Sequence, residues 1–182
     1  MPDFSPPGLD EFVRREKEQT NLKAKEVIYR IETALQKVVL DEVKREFGLS
    51  EAQWWILGIP KQVRLQVTQK YENDNGKRGV KEAYFDLMDY RKIALDNWQL
   101  FQNLIGYGKK NQSKDRQTQW ICTLNDKRNV VSHPSSGISL SVEELAELEA
   151  YEAWLRKSLS TSEITDTEDG ADEGEPASIE QD

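Results

Sequence analysis

Apolar residues recur along this chain at intervals of three and four, the spacing that lines one face of an α-helix. The first run spans Asp10 to Phe47, where Leu22, Val27, Ile28, Ile31, Leu35, Val38 and Phe47 stand among charged residues and Gly48 supplies a stop. An aromatic connector, Trp54-Trp55-Ile56-Leu57, leads to Pro60, whose fixed φ suits the first turn of a helix reaching Glu72. Asn73-Asp74-Asn75-Gly76 predicts a turn. A second long helix is expected from Val80 to Ile105, with Tyr84, Leu87, Ile93, Ala94, Trp98 and Phe101 inward, ended by Gly106-Tyr107-Gly108. Another is expected over Gln117–Ser132, stopped by Pro134, which cannot continue a helix. The last runs from Ser141 to Leu159 and opens on Ser141-Val142-Glu143-Glu144, the pattern of a capping box. Period-two alternation is nearly absent. The pattern predicts an all-α fold, a bundle of four to five helices. The rings of Trp54, Trp55, Trp98, Trp120 and Trp154 mostly fall at inward positions and are expected in the core; Trp54 and Trp55, in a connector, also suit base stacking.

Composition divides the chain further. Residues 1–8, with three prolines and Gly8, read as a flexible lead-in, and residues 9–159 as one helical domain. Residues 160–182 are Ser, Thr, Asp, Glu and Gly with almost nothing apolar; burial there cannot offset the entropy of ordering, so a disordered acidic tail is expected. The net charge of -8 belongs to that tail, which holds nine acids and no Lys or Arg; residues 1–159 keep 25 bases against 24 acids. An acidic total therefore does not exclude a nucleic-acid partner. The opening residues have no leader-like apolar core, and no stretch approaches the roughly 20 apolar residues that span a bilayer, so the expected location is the cytoplasm, with no membrane partner. A single cysteine, Cys122, rules out an intrachain disulfide and a thiolate zinc cluster. Carboxylates and histidine do not cluster at metal-ligand spacing either, so neither metal nor cofactor is expected.

The stretch that carries chemistry is Leu124-Asn125-Asp126-Lys127-Arg128-Asn129-Val130-Val131-Ser132-His133-Pro134, which contains the one histidine of the chain. On an ideal helix, positions five apart differ by about 140°, so Arg128 and His133 would not share a face. Pro134 changes this, because the residue before a proline is disfavoured in the α region. The helix should end at Ser132 or His133, freeing the imidazole to swing off its end. A side chain that exchanges protons near neutral pH then lies close in sequence to a permanent cation. RNA cleavage without a metal needs both: proton transfer from the 2′-hydroxyl and to the 5′-oxygen, and a cation for the phosphorane. One histidine cannot conveniently serve both sides of the phosphorus, which implies a homodimer. Lys127 and the loop Gly108–Arg116, with Lys109, Lys110, Lys114 and Arg116, are candidates to guide the RNA backbone. The alternative is plain: Arg128 in a surface ion pair, His133 as a helix-end residue and a solvated loop.

The stretch Asn125–Pro134 resembles the signature of the HEPN superfamily: an arginine, a polar residue, and a histidine four to six residues beyond the arginine. Tyr84–Ile93 leading to Asn97-Trp98-Gln99-Leu100-Phe101, and Trp54-Trp55 through Pro60 with Val63-Arg64, are similar to one subgroup, found with mRNA-surveillance and bacterial defence or toxin proteins. The resemblance covers residues 20–158. It implies a helical bundle that dimerises with the two motifs facing across a cleft, and a metal-independent endoribonuclease acting as a toxin or antiviral-defence effector. Arg128 and His133 would then be catalytic, with Asn129 assisting, while Asp89 and Asn97 would be structural. The usual companions, a nucleotidyltransferase-like antitoxin or a sensor ATPase, would be separate proteins. Some members keep the fold without catalysis and serve as binding or scaffold modules for a protein or nucleotide, which is the alternative function.

Overall fold

A computed structural model describes residues 8–133 and 137–168, with side chains through residue 161. Among the described residues there are eight α-helices and no strand, and five of the helices have ten residues or more. The first, α1 (Leu9–Phe47), is the axis on which the rest assembles. Its buried face is Ala24, Val27, Ile28, Ile31, Leu35, Val39, Leu40 and Val43. That differs from the predicted face at both ends: Leu22 is 60% exposed and Val38 only partly buried. Steps of three and four along the helix keep the buried residues on one face from Ala24 to Val43, while its first turns are exposed.

After Gly48 the chain makes a short α2 (Glu51–Gln53), which runs into a wider, π-type turn over Trp54–Gly58. The aromatic connector is therefore helical, and both its tryptophans are buried, edge to face with ring centres 5.6 Å apart. Neither offers a platform for a base. Gly58 is required by close approach: a Cβ there would lie 2.4 Å from Val43 Cγ1 and 2.8 Å from Phe47 Cδ2. Pro60 precedes α3 (Lys61–Asn73) as its N-cap. The predicted turn follows, with Asn75 and Gly76 in the left-handed region at φ 55° and 68°.

The long helix expected over Val80–Ile105 is interrupted twice. A 3₁₀ turn (Lys81–Tyr84) gives way to extended backbone at Phe85 and Asp86, and α4 (Leu87–Asp96) starts afresh. Asp86 accepts the N–H groups of Met88 and Asp89, each at 3.1 Å, while Asp89 Oδ2 accepts the Asp86 N–H. Two acids three apart thus satisfy donors at a helix start, a local option that competes with continuing the helix. The second break is at Asn97, whose amide donates to Gly58 O at 2.9 Å and Ile93 O at 3.0 Å, tying the π-type turn to α4. The short α5 (Trp98–Phe101) follows. Asp89 and Asn97, expected to be structural, make these hydrogen bonds at the start and end of α4.

A loop and the short α6 (Lys114–Gln117), capped by Ser113, lead to α7 (Gln119–Ser132). Then α8 (Val142–Glu168) opens with the predicted box: Glu144 N–H donates to Ser141 Oγ at 3.1 Å, and Ser141 N–H to Glu144 Oε2 at 2.8 Å. The helix runs nine residues past its expected end at Leu159, into what was expected to be tail, and the Ser160 and Thr161 hydroxyls bond the carbonyls of Arg156 and Lys157. Residues 169–182, the rest of the acidic tail, lie outside the described residues, as do residues 1–7 of the lead-in and Pro134. The helices α1 and α8 lie side by side in the same sense, joined where Leu140 N–H meets Asn21 Oδ1 at 3.0 Å and where Arg30 clasps Glu152 at 2.7 and 3.0 Å. α4 and α7 pack on α1 and on each other, closing the core around Ile31, Leu35, Ile93, Ile121, Leu124 and Leu148. No helix of the described residues is long and apolar enough to cross a membrane.

Candidate functional site

The helix α7 turns Leu124, Lys127 and Val131 inward. One step around, at spacings of three and four, Asn125, Arg128 and Asn129 form an adjoining face. That face is one wall of an open cleft of about 490 Å³, whose other walls are Gln66, Gln69, Lys70 and Asn73 of α3 and Asp86, Met88, Asp89 and Lys92 at the start of α4. The structure thus brings Arg128 and Asn129 together in one cleft.

Arg128 does not act alone there. Its Nε lies 3.0 Å from Glu32 Oε1 of α1, a partner 96 positions earlier. An ion pair through Nε fixes the plane of a guanidinium. Burial pushes the Glu32 carboxyl up from its ordinary pKa; Arg128 opposes this and the charge of Asp86 adds to it. Across the cleft Lys70 Nζ donates to Asp86 at 2.8 Å and to Asp89 at 3.3 Å. Asp89 is 1% exposed, and its pKa is raised by burial and by the Asp86 charge against the pull of Lys70. Asp86 is lowered: burial alone would raise it, but the bond and charge of Lys70 and the N–H groups of Asp89 and Met88 outweigh that. Burial disfavours the charged Lys70 as well, and its two aspartates more than compensate, leaving it raised. Tyr90 is buried close by and raised, first by burial and then by Glu32 and the two aspartates.

His133 is the C-cap of α7, with φ -119° and ψ 66°, so the chain leaves the helical path at the residue expected from Pro134. It is exposed and stands outside the lining of the cleft. Lys127 faces the other way: it is buried and lies 3.2 Å from both Glu144 and Glu147 of α8, so its charge is spent inside the fold. Of the loop bases, none lines the Arg128 cleft. Lys109 and Lys110 are exposed, Lys114 Nζ donates to Leu95 O at 2.9 Å beside a separate groove, and Arg116 lies exposed on α6. Cys122 is a half-buried free thiol.

Sequence reading missed Glu32, Lys92 and the α3 residues of the cleft. A signal existed for α3, where Gln66, Gln69, Lys70 and Asn73 keep one-face helical spacing, but a polar stripe reads equally well as a solvated surface. Among the described residues no group of three or more His, Cys, Asp or Glu is placed to hold a metal ion. No protein-family model, curated protein or solved structure matches the chain.

Proposed function

We propose that the chain is a metal-independent endoribonuclease of the HEPN type, a homodimer serving as a toxin or antiviral-defence effector. The observation that carries this reading is Arg128, held by Glu32 at the wall of a polar cleft, with Asn129 beside it and His133 at the end of the same helix. In the reaction the 2′-oxygen attacks phosphorus, the P–O5′ bond breaks, and a 2′,3′-cyclic phosphate forms. One imidazole takes the 2′ proton and the other, charged, protonates the departing 5′-oxygen. Two copies of His133, one from each protomer, fill the two roles, and the exposed position of His133 leaves it accessible to a second subunit. Arg128 stabilises the phosphorane charge as it develops. Asn129 assists at a phosphate oxygen. Any antitoxin or sensor is a separate protein.

The test is labelled total RNA incubated with purified protein in EDTA, with His133→Ala alongside. Cleavage by wild type that disappears in the variant, from a species sedimenting at twice the chain mass, supports the reading. Equal cleavage by both removes His133 from the mechanism. A second reading, a non-catalytic binding module, is favoured by two observations: the Arg128 charge is already answered by Glu32, and His133 lies outside the cleft lining. It predicts ligand binding in the cleft that is indifferent to His133 and no cleavage by either protein.

A further inference from the structure

Five carboxamides line the cleft: Gln66, Gln69 and Asn73 from α3, Asn125 and Asn129 from α7. Gln66 is taken by Lys92; among the described residues the other four, with Gln69, Asn73 and Asn129 exposed and Asn125 half-buried, make no side-chain hydrogen bond or ion pair with the protein, whereas the cations beside them are all engaged. Lys70 is held by Asp86 and Asp89, Lys92 bonds Gln66 Oε1 at 3.1 Å, and Arg128 is paired with Glu32. Charge is thus balanced in place, and the hydrogen-bonding capacity left over is that of planar groups, each offering two N–H donors and an acceptor oxygen.

That is the complement of a nucleobase edge, which sets donors and acceptors side by side in one plane, and carboxamides pair with it bidentately. An unpaired RNA nucleotide presents its edge freely, as a duplex does not. The volume, about 490 Å³, falls in the range of roughly 300–1,000 Å³ typical of small-ligand sites, enough for one nucleotide. We propose that the cleft is a base-reading subsite for a single unpaired nucleotide, its edge on the carboxamides of Gln69, Asn73 and Asn125 and its phosphate toward Arg128 and Asn129. The link to cleavage, that the base read adjoins the cleaved phosphate, rests on the ribonuclease reading; nucleotide binding itself does not.

The experiment has two arms. In the first, adenosine, guanosine, cytidine and uridine 5′-monophosphates are titrated into the full chain and into Gln69→Leu/Asn73→Leu, followed by calorimetry and amide chemical shifts. One base should bind about tenfold tighter than the weakest, and the double variant should lose about tenfold, as expected for one bidentate pair. Gln69→Glu/Asn73→Asp, which keeps shape and removes the donors, serves if the leucine variant melts early. No binding of any of the four, or equal binding untouched by either variant, overturns the proposal, as does displacement of the nucleotides by a peptide amide at lower concentration. The second arm maps cleavage sites on an RNA of mixed sequence. Base-selective nucleotide binding without cleavage keeps the subsite and discards the ribonuclease; cleavage indifferent to base and to Gln69 and Asn73 does the reverse.

Discussion

Arg128 shows how one side chain is set by groups that its neighbours in sequence do not supply. Glu32 holds it through Nε, yet Glu32 is itself half-buried with a raised pKa. A carboxyl whose folded pKa lies above its unfolded value contributes stability that is full below the unfolded pKa and is lost as pH rises through the folded one. Above its folded pKa Glu32 therefore gives the fold none of that stability, while its ion pair holds Arg128. Glu32→Gln should melt no lower than wild type at neutral pH; on the proposed ribonuclease reading, kcat for RNA falls about ten- to a hundredfold with less change in KM. A matching loss of melting temperature would reduce Glu32 to a structural role. Lys127, adjacent in sequence, was a candidate to guide the RNA backbone, but helical rotation carries it to the α8 side, between Glu144 and Glu147.

At the scale of elements, what was legible is what depends on residues within one turn. The Ser141–Glu144 box, the Asn75-Gly76 turn and the end of α7 before Pro134 all follow from local donors, acceptors and dihedral limits. The breaks at Asp86 and Asn97 were not read, although the two acids three apart were there to see. Apolar spacing runs across both breaks and outweighs a cap in any periodicity count. Asn97 needed more, since one of its partners, Gly58 O, lies 39 positions away. Gly58 sits where the π-type turn closely approaches Val43 and Phe47 of α1. Gly58→Ala should lower unfolding stability by about 1–3 kcal/mol, because the methyl meets Val43 and Phe47 inside van der Waals contact. Urea unfolding measures it; an unchanged midpoint would mean that the turn shifts freely.

For the whole molecule, the longest-range tie is between α1 and α8, where Glu152 takes two bonds from Arg30 and a third from Arg156. The Arg30 bond holds Glu152 below the ordinary carboxylate pKa, and the Ser141 N–H and Lys127 do the same for Glu144. A lowered folded pKa gives stability that is present above the unfolded value and is lost as pH falls through the folded one. The urea midpoint should therefore drop on acidification below about pH 4.5, and the drop should be shallower in Glu152→Gln. Equal slopes in the two proteins would show that the α1–α8 tie does not govern acid unfolding.

The sequence by itself determined the helical class, the C-terminal ends of α1 and α7, the Ser141–Glu144 cap and the concentration of net negative charge past residue 159, because each is settled by composition or by interactions within about four residues. Only the tertiary structure decided which polar residues meet. Period 3.6 says that a helix has a face, not which face of another helix it meets or at what register. The pairing of Arg128 with Glu32, the burial of Lys127 and the gathering of carboxamides from α3 and α7 into one cleft all depend on how α3, α4 and α7 pack around α1. That arrangement comes from the fit of the whole core, which no local pattern encodes.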